Sequence, residues 1–158
     1  WQGRKRRRKS DRIKPKRPIG FTEIRTVSKP SEGFGNARVD LTFISIVHDV
    51  EMKITIMVWV PSRQPEILRF RTILFDNRER DEMKNNSECW DEVFRLVGTT
   101  NENAFGFLSL SNASGITLDY SLTIEGGIAN STLCNTAKEI ARIALFCKSN
   151  ILEEISSD

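Results

Sequence analysis

Between Val39 and Phe75 apolar residues recur mostly at every second position, which is the period of a strand rather than a helix. Val39, Leu41, Phe43 and Ser45 alternate with Asp40, Thr42, Ile44 and Ile46, and their β-branched and aromatic content predicts a strand covered in part on both faces. His48-Asp49-Val50-Glu51 reads as a turn. Met52 to Val60 is the next predicted strand, with Ile54, Ile56, Val58 and Val60 on one face and Lys53, Thr55, Met57 and Trp59 on the other; Pro61 ends it. Past a loop at 62–65, Ile67 to Phe75 alternates Ile67, Arg69, Arg71 and Ile73 with Leu68, Phe70, Thr72 and Leu74, so two arginines project from one face.

The period then changes. Asp76 to Asn86 is strongly polar and is expected to loop, while Ser87 is a candidate N-cap for a short helix in which Trp90, Val93, Phe94 and Val97 share a side and Gly98 is the stop. Ala104 to Leu110 and Ile116 to Ile124 read as two further strands around the turn 111–115, with Glu125-Gly126-Gly127 closing the second. Leu133, Ala137, Ile140, Ala141, Ala144, Cys147, Ile151 and Ile155 recur at three- and four-residue intervals, which predicts a long amphipathic helix, and Thr136 to Glu139 has the spacing of a capping box. Ile143, Leu145, Phe146 and Leu152 widen its apolar arc beyond one narrow stripe, which leaves two readings: all of it is core, the one favoured, or the helix meets the sheet on one side and something else on the other. The fold class is α+β: a mixed or antiparallel sheet covered by the C-terminal helix.

Charge divides the chain differently. Of 24 basic and 21 acidic residues, ten basic and one acidic fall in the first 17, leaving 14 and 20 for the rest: a leader of +9 on a body of −6. The cations are Arg4, Lys5, Arg6, Arg7, Arg8, Lys9, Arg12, Lys14, Lys16 and Arg17. So dense a block of like charge, with almost nothing apolar to bury, cannot offset its ordering entropy and is expected to be disordered until it meets a polyanion. Pro15, Pro18 and Pro30 favour extended geometry, so residues 1–30 read as a basic arm along a surface, with Phe21, Ile24 and Val27 as anchors. A turn-rich hinge at 31–36 leads into a single α+β domain spanning 31–158.

Candidate chemistry is sparse. Cys89, Cys134 and Cys147 show no CxxC spacing, and His48 is the lone histidine, so neither a metal pair nor a catalytic triad has a local signature. Asp76, Glu79, Asp81 and Glu82 alternate with Arg78, Arg80 and Lys84, which neutralise the field a hard cation needs. The expectation is a protein that is not an enzyme, with no catalytic residue, metal, cofactor or small-molecule substrate. No apolar run reaches the roughly 18 residues of a membrane span. The first residue is Trp rather than Met, from which residues ahead of Trp1 are expected. No secretory signal is visible, so the expected location is the cell interior, cytoplasm or nucleus, or a virion, and the three N-x-S/T tripeptides carry little weight.

A basic N-terminal arm, a strand Gly115-Ile116-Thr117-Leu118-Asp119-Tyr120-Ser121-Leu122-Thr123-Ile124 and then a long helix from Ser131 resemble the outline of the rhabdovirus matrix proteins, whose plant-infecting members are similarly small. The resemblance implies a bent sheet with helices, and a basic N-terminus that engages anionic membrane and the nucleocapsid. Val58-Trp59-Val60-Pro61 leading to Thr72-Ile73-Leu74-Phe75-Asp76-Asn77-Arg78 is similar to the strand, aspartate and basic-residue pattern of the thirty-kilodalton superfamily of plant-virus movement proteins, which bind nucleic acid. A jelly-roll coat protein with an RNA-binding arm is the third family of similar outline. The function expected is therefore a viral structural protein that self-associates, a homo-oligomer whose arm binds RNA, a ribonucleoprotein or an anionic membrane. Arg69 and Arg71 add to the ten cations of the arm, and contact is expected with phosphates, without base specificity.

Overall fold

The alternating stretches form the strands expected of them, and the structure, a computed structural model, describes residues 21, 23–29, 38–47, 49–103, 107–111 and 114–155. The strands are β1 (Glu23–Lys29), β2 (Arg38–Val47), β3 (Val50–Trp59), β4 (Ile67–Phe75), β5 (Phe107–Ser111) and β6 (Gly115–Thr123); the helices are α1 (Asn77–Lys84), α2 (Ser87–Asn103) and α3 (Asn130–Ile155). All pairings are antiparallel, in the order β1-β2-β3-β4-β6-β5. The chain thus leaves β4, runs through α1 and α2 to the far edge, and returns with β6 slotted beside β4.

The α+β class and the helix over the sheet are as the sequence implies, and the sheet is wholly antiparallel. Phe43, Ile54, Ile56, Phe70, Leu74, Ile116 and Leu118 are buried on one face, against Ala137, Ile140, Ala141, Ala144 and Leu145 of α3. Three alanines in that stripe bring the helix axis close to the sheet, where each fully buried Leu or Ile contributes about 1.5–3 kcal/mol. α3 also contacts α2, whose Val93 and Leu96 belong to the same core. Among the described residues no helix is long and apolar enough to cross a membrane.

Several expectations need correction. Residues 23–29, assigned to the arm, are the edge strand β1; backbone pairing with β2 from Glu23↔Ile44 to Lys29↔Arg38 outweighs the effect of the flanking prolines. Phe21 does anchor, its ring 4.9 Å from that of Phe43 with the Arg142 guanidinium 5.9 Å from its centre. The side chains of Ile24 and Val27, and the hinge at 31–36, lie outside the described residues. The stretch 76–86 is not a loop. Asp76 accepts from the Glu79 amide at 2.9 Å while the Glu79 carboxylate accepts from the Asp76 amide at 2.8 Å, a complete capping box, and Arg78 pairs with Glu82 one turn on at 2.9 Å.

Asn86, not Ser87, caps α2, its side-chain oxygen accepting from the amides of Glu88 and Cys89 at 3.1 Å. Gly98 does not stop this helix: it lies on an open side, and its cost of about 1 kcal/mol against alanine is too small to end a helix already packed through Val93 and Leu96. The spacing Thr136 to Glu139 falls inside α3, which starts at Asn130 after the turn made by Gly126 and Gly127. The strand expected over Ala104 to Leu110 is present as β5 at Phe107–Ser111, and residues 104–106 lie outside the described residues. A tight turn joins β2 to β3 as expected, with Val47 paired to Val50 and Asp49 in the left-handed region at φ 61°; His48 is outside the described residues.

Candidate nucleic-acid interface

The second set of alternating side chains lies on the sheet face away from α3, and the strand order decides which of them are neighbours. Across β2, β3, β4 and β6 one row reads Arg38, Trp59, Arg69, Ser121, and the next reads Asp40, Met57, Arg71, Asp119. The predicted projection of Arg69 and Arg71 from one face is what the register gives. Neither β2 nor β6 could be named as their neighbour from the sequence, because local periodicity says nothing about pairing between strands distant along the chain.

The arginines on this face have different fates. Arg38 sets Nη2 3.0 Å from Asp40 Oδ2 and Nε 2.8 Å from Oδ1, and Asp40 is itself buried. Arg71 donates from Nε to Asp119 Oδ1 at 2.5 Å and lies 6.0 Å from the ring centre of Trp59. Asp119 is held in turn: Thr117 donates to its Oδ2 at 2.9 Å, and Ser109 lies 2.8 Å from the Thr117 hydroxyl. Arg69 is different. Among the described residues its one side-chain partner is neutral, the Gln64 Oε1 that accepts from Nη2 at 2.7 Å. Gln64 sits in the β3–β4 connection, where its amide donates to the Pro61 carbonyl and its own carbonyl accepts from Ile67, each at 3.0 Å.

Beside these rows β3 and β4 part company. They pair only from Met57↔Arg71 to Trp59↔Arg69, and beyond that point an open depression of about 310 Å³ is lined by Asp40, Lys53, Ile54, Thr55, Met57 and Ile73. Ile73 is 42% exposed there, and Lys53, another of the lining residues, is exposed as well.

The ten cations from Arg4 to Arg17 lie outside the described residues. Elsewhere the candidate chemistry is absorbed by the fold. Cys89 and Cys147 are buried in the core while Cys134 is exposed, and Asp81 pairs with Arg80 at 2.8 Å. Asp76, the aspartate of the movement-protein pattern, caps α1, and Arg78 of that pattern pairs with Glu82. No group of three or more His, Cys, Asp or Glu converges among the described residues. Sequence reasoning missed Gln64, Asp119 and Ser121, although Thr117, Asp119, Ser121 and Thr123 already alternate as one polar edge of a predicted strand. No protein-family model, characterised protein or solved structure matches this chain.

Proposed function

We propose that the chain is a non-enzymatic assembly protein that grips a phosphate polyanion with its basic leader and associates with copies of itself. One observation carries the reading: ten Lys and Arg within 17 residues, on a chain whose remaining residues are net acidic. Such a leader binds phosphates by releasing condensed counterions, so its affinity is sequence-independent and falls steeply with salt. Phe21, four positions after Arg17, packs on Phe43 with the Arg142 guanidinium near its ring, which ties the chain just after the leader to β2 and α3. Each arm is a weak ligand, and an array of bodies raises the effective concentration of all the arms. The sheet supports self-association because, among the described residues, it is open, with β1 and β5 as its outer strands.

The specific form proposed is a matrix-like viral protein acting in a virion or the host cell interior. It rests on the succession of β6 and the long α3 behind a basic leader. Deleting residues 1–17 should remove binding to single-stranded RNA and to vesicles of anionic phospholipid at low salt, with the far-ultraviolet circular dichroism of the body unchanged. Binding that survives the deletion refutes the leader's role. Electron microscopy of the full chain with RNA or acidic lipid should show regular arrays; isolated monomers coating RNA without a lattice would favour the movement-protein reading instead.

A further inference from the structure

The arginines on the open face are not equivalent, and their difference singles out one of them. Arg38 and Arg71 each have a carboxylate, whereas Arg69, half-buried in the same rows, has among the described residues only the neutral Gln64, and its Nε is buried without a hydrogen-bond partner among them. A guanidinium withdrawn from water and denied an anion sits at a local electrostatic cost. An anion arriving from outside removes that cost, whereas one approaching Arg38 or Arg71 must first displace a bound carboxylate. The same geometry supplies further donors. Gln64 uses its oxygen on Arg69, which leaves its amide nitrogen to donate, and the backbone bonds to Pro61 and Ile67 hold this loop in place. Ser121, exposed, is the residue directly opposite Arg69 on β6, at the cross-strand spacing of about 5 Å. The neighbouring acid, Asp119, is taken by Arg71, Thr117 and Ser109.

We propose that Arg69, with Gln64 and Ser121, is a phosphate site on the folded body, occupied by a phosphodiester of the same nucleic-acid strand that the leader grips. The proposal rests on the polyanion reading above and deepens it. A guanidinium fork offers two parallel donors to two phosphate oxygens, a match that an ammonium lacks. A strand rather than a bilayer is favoured by the burial: Arg69 and Gln64 are half-buried, and a single flexible chain can bring one phosphate to a partly shielded guanidinium more closely than a flat headgroup layer can. Arg71 is excluded from contact and serves the sheet.

The test titrates the full chain with a labelled single-stranded oligoribonucleotide over a range of salt, and in parallel with vesicles of anionic phospholipid. Arg69→Gln should weaken RNA binding about five- to tenfold at low salt and lower the slope of log affinity against log salt by about one, with vesicle binding unchanged. Arg69→Lys should keep the slope and lose part of the affinity, since charge is retained and the fork is lost. In the unmodified protein, where folding is not in question, the Arg69 Nε–H resonance should shift on RNA addition and that of Arg71 should not. If Arg69→Gln binds RNA with unaltered slope and the Arg69 resonance stays still, while the leader deletion abolishes binding, this site is refuted and the leader's role stands. If the leader deletion binds as the full chain does, the broader reading fails. An equal loss on RNA and on vesicles overturns the nucleic-acid assignment and makes the lipid headgroup the source of the phosphate.

Discussion

Arg71 and Asp119, 48 residues apart in sequence, are register partners on β4 and β6, and their side chains meet at 2.5 Å across the open face. The pair is partly shielded, with side chains 37% and 27% exposed, and Asp119 also accepts from the fully buried Thr117. Removing the carboxylate strands both donors. Asp119→Ala is expected to cost about 2 kcal/mol, and Asp119→Asn less because an acceptor remains for Thr117. Urea unfolding of both variants and of Arg71→Met/Asp119→Ala checks this: the double variant should recover part of the loss, and strict additivity would show that the pair is not coupled.

Thr72 is 0% exposed on the core face of β4, and its hydroxyl has no hydrogen-bond partner among the described residues. A desolvated, unpaired hydroxyl opposes folding, so Thr72→Val should stabilise the protein by about 1 kcal/mol. The denaturation midpoint should rise with the slope on urea unchanged. A lower midpoint would mean that the hydroxyl contributes a bond.

Two glycines should respond oppositely to alanine. Gly115 has φ +82°, and a Cβ there would fall 2.1 Å from the Phe75 carbonyl oxygen at the β4–β6 register shift, so backbone must move to admit it. Gly115→Ala should destabilise by several kcal/mol, on the order of 3 or more, combining backbone strain with overpacking. Gly98 is helical in α2 with nothing within 4 Å of its added methyl, and Gly98→Ala should stabilise by about 0.5–1 kcal/mol. Thermal unfolding of the two variants tests the contrast.

Glu92 on α2 accepts from Arg95 Nε at 2.7 Å, and this hydrogen bond holds its carboxyl below the usual 4.5 against the opposing effect of partial burial. A carboxyl depressed in the folded state stabilises fully above its unfolded value, and loses that contribution as pH falls through the folded one. At neutral pH Glu92→Gln should therefore cost a few tenths of a kcal/mol, about what an exposed helix pair is worth. The difference from the parent protein should shrink progressively below pH 4.5 in urea titrations. A gap that persists in acid would assign the effect to packing rather than charge.

Much of the architecture can be read residue by residue. β2, β3, β4 and α3 follow from periods of 2 and 3.6, because those periods record which side of an element is buried, a local property of some ten residues. α1 was also present in the sequence, as Asp76 three residues before Glu79 and Arg78 four before Glu82, but an eight-residue helix held by its cap and charge pairs shows too short an apolar stripe to register as a period. β1 was hidden for another reason: an edge strand is held by the backbone of its neighbour, and backbone hydrogen bonds leave little trace in side-chain pattern.

The candidate site divides along the same line. The sequence alone determined the split into a cationic leader and an acidic body, since charge density needs no fold to be counted, and it determined that Arg69 and Arg71 share a face. Only the tertiary structure decided that β6 lies beside β4, so that Asp119 neutralises Arg71 while Arg69 faces Ser121 and keeps a neutral partner. Strand neighbours are chosen by contacts between residues dozens of positions apart, and the electrostatic fate of each arginine is set by that choice.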